Sequence, residues 1–313
     1  MTYGSQQTFA LVAKESTKGT AVSATKDLGI IREPTPSLSR EIKEIQSIGA
    51  ADVQQIETGI NDPKWSGVFE FQNGRSLEMA LGGVSHAQTS SDWKHTFTIT
   101  DDLSTWTIDT NYDAAVDTVI RHIGSMLENL EIGCELNGVL TCTGTWRVMK
   151  TDSNASADSR VISTLVTLPH SLCHVDIGGS EAAEVQKFSI TIENTVPPTD
   201  GFNSNIHQNL TRTAVKFKFK GTLGFNAKTF WELAQGGSSL ATGTPAATTI
   251  KLYANNGVTL GSGRREFVLD LKSCQFDNFE KVVSVGDLVF ANVAGTGLLN
   301  SCFSVDNISN SNW

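Results

Sequence analysis

Residues 170–174, His-Ser-Leu-Cys-His, bring two imidazoles and a thiol within five positions, the donor types that hold zinc. A closed zinc site takes four donors, and no second cluster follows this one. On a strand His170 and His174 would share a face while Cys173 points to the other. These residues read as ordinary strand and loop positions, and no metal is expected. Asp101 and Asp102 come nearest to the acid pair of a glycosidase. They stand in an Asp-Asp-Leu-Ser run between apolar segments, where aspartate serves turn chemistry. His86, His95, His122 and His207 have no nucleophile set in a recognisable turn, and GxSxG, HExxH and phosphate-loop patterns are absent. Gly261-Ser262-Gly263 lacks the third glycine and the strand-to-helix setting of a dinucleotide loop. The expectation is a protein with no catalytic residue and no cofactor.

The elements that would carry such residues are organised by a repeat. Residues 65–83, WSGVFEFQNGRSLEMALGG, read as a strand, a turn and a short helix over 75–81 that ends at a glycine pair. Residues 220–237, KGTLGFNAKTFWELAQGG, follow the same plan 154 positions later, with a helix over 228–235. Gly67 falls on Gly221, Phe71 on Phe225, Glu78 on Glu232, and Gly82-Gly83 on Gly236-Gly237. A period of half the chain asks one fold unit to explain both halves. Small polar residues at 151–159 suit a boundary, so residues 1–155 and 156–313 are expected to form two units. Short alternating runs surround the repeat, such as Phe188, Ile190 and Ile192, or Val215, Phe217 and Phe219 against Lys216, Lys218 and Lys220. The expected fold is mainly β, two tandem β-sandwich or barrel units, each flanked by one short helix. For the hairpin near residue 138, a three-residue loop pairs Leu136 with Leu140 and Cys134 with Cys142, keeping all apolar residues on one face.

The chain carries a net charge of −9, seven of those charges in its first 150 residues, so nucleic-acid binding is not the default reading. No run of 18 apolar residues exists to form a membrane-spanning helix. The N-terminal residues lack the basic and apolar regions of a signal peptide. Five cysteines without CxxC spacing suit packed free thiols in a reducing cytoplasm.

Residues 37–60 fit neither a clean strand nor a stable helix, yet carry Ile42, Ile45, Ile48, Ile56 and Ile60 among charges. Such isoleucines need a partner surface, which suggests an assembly arm. Residues 194–212 form a long loop at the equivalent place in the second half. Assembly candidates are therefore Arg40, Glu41, Ile42, Ile45, Ile48 and Ile56 on the arm, with Phe202 and Ile206 on the loop.

Residues 3–22 (YG…ALVAKESTKGTAV), 28–41 (LGIIREPTPSLSRE), the W-x-G strand at 65–67, 128–146 (ENLEIGCELNGVLTCTGTW) and 187–196 (KFSITIENTV) together resemble the long, duplicated form of the tail tube (major tail) proteins of tailed bacteriophages. The likeness covers most of the chain, weakens over the last 40 residues, and lacks a clear W-x-G in the second half. It implies a structural virion protein, assembled in the host cytoplasm, that polymerises into stacked rings with other tail proteins. Inner strands of neighbouring subunits would join into one barrel, and DNA would pass through an acidic lumen without specific binding. A duplicated chain favours a trimer acting as a pseudo-hexamer, with a hexamer as the other choice. The competing reading is a ligand- or carbohydrate-binding β-sandwich on a virion or cell surface.

Overall fold

Apolar residues at alternate positions force extended backbone wherever one face can be buried, and β-branched, threonine-rich runs comply. The computed structural model describes residues 9–46, 52–53, 55–113, 118–156, 158–159, 161, 165–182, 184–202, 204–224, 232, 247–283 and 289–313. The strands of the first half are β1 (Phe9–Lys14), β2 (Ile31–Ile45), β3 (Gln55–Glu70), β4 (Gly82–Thr89), β5 (Asp92–Ile99), β6 (Trp106–Asp113), β7 (Thr118–Glu135), β8 (Thr141–Arg147) and β9 (Lys150–Asp152). Those of the second are β10 (Cys173–Ile177), β11 (Ser180–Glu181), β12 (Val185–Thr195), β13 (Pro198–Thr199), β14 (Asn209–Leu210), β15 (Ala214–Gly224), β16 (Thr248–Asn255), β17 (Glu266–Val283) and β18 (Val289–Asp306). The helix α1 (Arg75–Leu81) is buried along its whole length and closes with Gly82 at φ 98°, its N–H bonded to the Glu78 carbonyl. Of the helix expected over 228–235 only Glu232 lies within the described residues, and it is helical.

Eight strands form one continuous antiparallel run, β2-β3-β8-β7-β12-β15-β18-β17. Strands β7 and β17 are long enough to serve two layers. Each bends at a residue with positive φ, Gly124 at 70° and Ser273 at 52°. Before its bend β7 pairs with β6 and β9, and β1 adds to β6. Before its bend β17 pairs with β16 and β18, and β10 adds to β16.

The pairing registers of the two halves correspond residue by residue. Pro34 faces Gly67, and 154 positions later Phe188 faces Gly221. Leu130 faces Gly144, and 149 positions later Phe279 faces Val293. A register shift between Leu127 and Asn129 is matched by one between Phe276 and Asn278, again 149 positions on. The bends at Gly124 and Ser273 share that offset.

One apolar core runs under both quartets of that run, β2-β3-β8-β7 and β12-β15-β18-β17, from Trp65, Phe69 and Trp146 through Leu130 and Ile132 to Phe188, Ile190, Phe219 and Val293. Trp65 and Trp146 face one another in register and pack edge to face with centroids 4.8 Å apart. They have room because Gly67 and Gly144 leave open the space over which the indoles fold. The opposite face of the sheet is polar. There Lys218 pairs with Glu193 at 2.7 Å, Lys220 with Glu131 at 3.0 Å, Lys187 with Glu135 at 3.3 Å and Arg147 with Glu128 at 2.9 Å.

Two local expectations change. Residues 37–45 and 55–60 are not irregular: they lie in β2 and β3, an antiparallel ribbon paired from Ile31 opposite Phe69 to Ile45 opposite Gln55. A register shift at Arg40/Ile42 breaks the alternation and hides the strand period from sequence. In the β7–β8 hairpin Cys142 faces Ile132 and not Cys134, because the turn is centred one residue earlier, with Gly138 N–H bonded to the Glu135 carbonyl and Asn137 at φ 63°. The slip is two residues, so the apolar set stays on one face.

Gly144→Ala would drive a Cβ into the Trp146 ring and should cost about 1–3 kcal/mol. The penalty should shrink in Gly144→Ala/Trp146→Phe relative to the sum of the single changes, read by urea denaturation. His122 is buried, and burial pushes its pKa down to about 4 from 6.5. Between those values the unfolded chain takes a proton the folded chain refuses, so stability falls as pH drops through the window, by up to roughly 3 kcal/mol. His122→Asn should flatten that slope in urea midpoints measured between pH 7 and pH 4.

Candidate assembly surfaces

The residues with catalytic or ligating potential are engaged in holding the fold. His174 bonds Glu181 at 2.5 Å and stacks on Tyr253, with centroids 4.9 Å apart. His170 begins a 3-10 turn that leads into β10. Asp102 pairs with Lys18 at 2.7 Å in an exposed turn. His95 is fully buried, contacts His86 Nδ1 at 2.6 Å and Asp306 Oδ1 at 3.1 Å, and lies under the Trp313 ring at 3.9 Å. Trp313 in turn donates its indole N–H to Glu78, so this cluster fastens the last residue to α1 and β5. Among the described residues no group of three or more His, Cys, Asp or Glu is arranged to hold a metal ion.

The unsatisfied features are apolar side chains in water and strand edges without neighbours. β3 pairs with β8 only over residues 64–70, so residues 37–45 and 55–63 form a two-stranded ribbon standing clear of the sheet. At strand rise its free part is roughly 25 Å long. Leu38, Ile42 and Ile56 on it are 61%, 62% and 65% exposed, and Ile45 and Val53 are exposed too. Arg40 and Glu41 are exposed, and Arg40 Nε donates to Asn61 Oδ1 at 2.5 Å. Ile48 lies outside the described residues. An isolated ribbon is marginal in water, so this one needs a surface to lie on.

At its base the ribbon is clamped to the loop between β12 and β15. The buried His207 ring sits between Asp200 Oδ1 at 2.7 Å and Asp62 Oδ1 at 3.1 Å. Asn61 N–H donates to the Asn205 carbonyl. That loop carries Phe202, fully exposed at 99%, and the partly exposed Ile206. The structure thus brings the ribbon and loop candidates to one end of the sheet.

The eight-stranded run has two open edges among the described residues. β2 has no strand beyond it, and after its bend β17 has β18 on one side and nothing on the other. Leu38 and this edge of β17 are not among the candidates that the sequence pattern offers. A signal was present: Glu128-Asn129-Leu130-Glu131 in β7 recurs as Asp277-Asn278-Phe279-Glu280 in β17.

A sheet with open edges, a projecting apolar ribbon and histidines tied into the packing defines a structural, self-associating β protein. The family model described as phage tail tube protein matches residues 5–264, and the chain belongs to that family. It is a structural component of the virion tail, and its family's role is to self-assemble and to associate with other tail proteins. A search of curated proteins finds no match.

Limited proteolysis of unassembled protein should cut first within residues 37–60 or 194–212. His207→Ala removes both carboxylate contacts and should speed that first cut roughly tenfold, since a hydrogen bond to a charged group contributes about 1.5–3 kcal/mol.

Proposed function

We propose that three copies of this chain close into a ring, each contributing two equivalent units (residues 1–155 and 156–313), and that rings stack into a tube that conducts DNA. The observation that carries the reading is the pairing of β7 with β12, which joins the two halves of one chain. Lys187 faces Glu135, Ile190 faces Ile132 and Glu193 faces Asn129. β2 occupies the place of β12 in its own quartet, and β17 that of β7. The same junction between copies would set β17 of one chain against β2 of the next, with Glu280 opposite Ser37 and Asn278 opposite Ser39. Three copies give 24 strands. At about 4.8 Å between strands and roughly 40° tilt, the backbone barrel is roughly 50 Å across. Sixteen strands give roughly 32 Å, which side chains from both walls reduce to the width of a DNA duplex, about 20 Å. Six copies joined in one sheet give a barrel near 100 Å, far wider than its cargo requires.

The polar face of the sheet lines the channel in this arrangement. Its central carboxylates are matched by lysines and arginine, while Glu33, Asp277 and Glu280 gather at the seam between copies and supply the acidic character. Charge of that sign repels phosphate and lets DNA slide. The ribbon carrying Arg40, Glu41, Ile42, Ile45, Ile48 and Ile56, together with Phe202 and Ile206, meets the neighbouring ring. Assembly takes place in the host cytoplasm, and the protein has no catalytic role.

Ser37→Cys/Glu280→Cys should yield covalent oligomers ending at a closed trimer on non-reducing gels, with neither single variant doing so. No cross-link would remove the seam, and a ladder running on to six would remove the trimer. Replacing Ile42, Ile45 and Ile48 with serine should leave a soluble folded chain that makes no tubes in negative stain.

A further inference from the structure

Two cysteines that lie far apart in sequence meet at the junction of the halves. Cys134 lies in β7 opposite Phe188 of β12, and Cys173 opens β10. Both line one cavity, with His170, His174 and Glu181 around its rim. Both are half-buried, whereas Cys142, Cys274 and Cys302 are fully buried. We propose that Cys134 and Cys173 are a redox-active dithiol that a small disulfide converts to an intrachain cystine.

Each thiol donates to a nearby carbonyl, Cys134 Sγ to Glu135 at 3.7 Å and Cys173 Sγ to Pro169 at 3.5 Å, on the wall of the cavity they share. The neighbouring Cys173 holds the Cys134 thiol below the ordinary cysteine range, while the Cys173 thiol is pushed up by Cys134 and by burial. The thiolate is the attacking species, so Cys134 reacts first. Its sulfur attacks one sulfur of a disulfide RSSR, forming Cys134–S–SR and releasing RS⁻. Cys173, as its proton leaves to solvent, then attacks the Cys134 sulfur and expels the second RS⁻. Two thiols and one RSSR become one cystine and two RSH. Burial raises the thiols of Cys142 and Cys302 well above the ordinary range and that of Cys274 to about 11, so these three have neither thiolate nor access.

The bond would tie the first strand of the second half to the last long strand of the first, closing the connection that carries β8 and β9. A chain assembled under reducing conditions would be locked when it meets an oxidising medium.

The test uses the full chain with oxidised glutathione, followed by alkylation of remaining thiols and non-reducing peptide mass mapping. The expected result is one Cys134–Cys173 linkage, three alkylated cysteines and a melting temperature raised by about 5 °C. Cys173→Ser should accumulate glutathione on Cys134, and Cys134→Ser should leave Cys173 unmodified at the same time point. Five alkylated cysteines in wild type would overturn the proposal, as would glutathione on Cys173 in Cys134→Ser or linkage to one of the three buried thiols.

Discussion

Every strand has two hydrogen-bonding edges, and the one pairing on which this architecture turns is that of β7 with β12. Seven residue pairs in strict register join the halves, and the core beneath passes from Leu130 and Ile132 to Ile190 and Ile192 without a break. The halves are therefore joined by continuous sheet, and the linker near 151–159 has no mechanical duty at that seam. A unit that ends in an unpaired edge and begins with another has a simple way to satisfy both, which is to repeat. In the proposed arrangement the chain does so once internally, and the ring continues it between copies.

The same geometry explains the prolines of β2. Leu136 N–H donates to the Gln186 carbonyl, so by the alternation of an antiparallel ladder Phe188 and Ile190 turn their N–H groups toward β7. Their counterparts in β2, under the 154-residue offset, are Pro34 and Pro36. Both prolines thus sit where the missing N–H points out of the sheet, and β2 pairs with β3 undisturbed. An exposed edge lacking two donors is a poor template for stray strands. In the proposed ring that weakness is offset by the ribbon, whose apolar side chains add contact beyond the seam.

Much of the fold was legible because it follows from alternation. The β class, α1, the burial of Trp65 and Phe71, and the apolar face of β7 and β8 all rest on period-two patterns or on a glycine that only one turn would need. The ribbon was not legible as strands, since the shift near Arg40 and Ile42 puts neighbouring isoleucines out of phase and both faces meet solvent. Its role as a surface awaiting a partner was readable all the same, from isoleucines with nothing in the local sequence to cover them. The partner of Cys134 was hidden for another reason. Cys173 is brought near because residues 168–170 lie along the turn at 138–140, with Leu140 N–H donating to the Leu168 carbonyl and His170 N–H to the Gly138 carbonyl, a pairing that no local spacing encodes.

The lysine row of β15 shows how charge should be read in such a protein. Taken alone, Lys216, Lys218 and Lys220 suggest a basic stripe. In the sheet, Lys218 and Lys220 lie beside strands that present Glu193 and Glu131, and each pair holds within 3.0 Å. Exposed pairs of this kind add little to stability, but they cancel the field of a basic stripe. What remains on that face is Lys216 and the acid near the outer strands, set where the proposed copies meet. A conduit needs a wall without adhesive charge more than it needs a strongly repulsive one, because a duplex held off by every side chain resists entry as much as one that sticks resists exit. Pairing Lys218 and Lys220 with glutamates meets that requirement at the level of individual strands, so the net charge of the whole chain is a poor guide to the potential in the proposed channel.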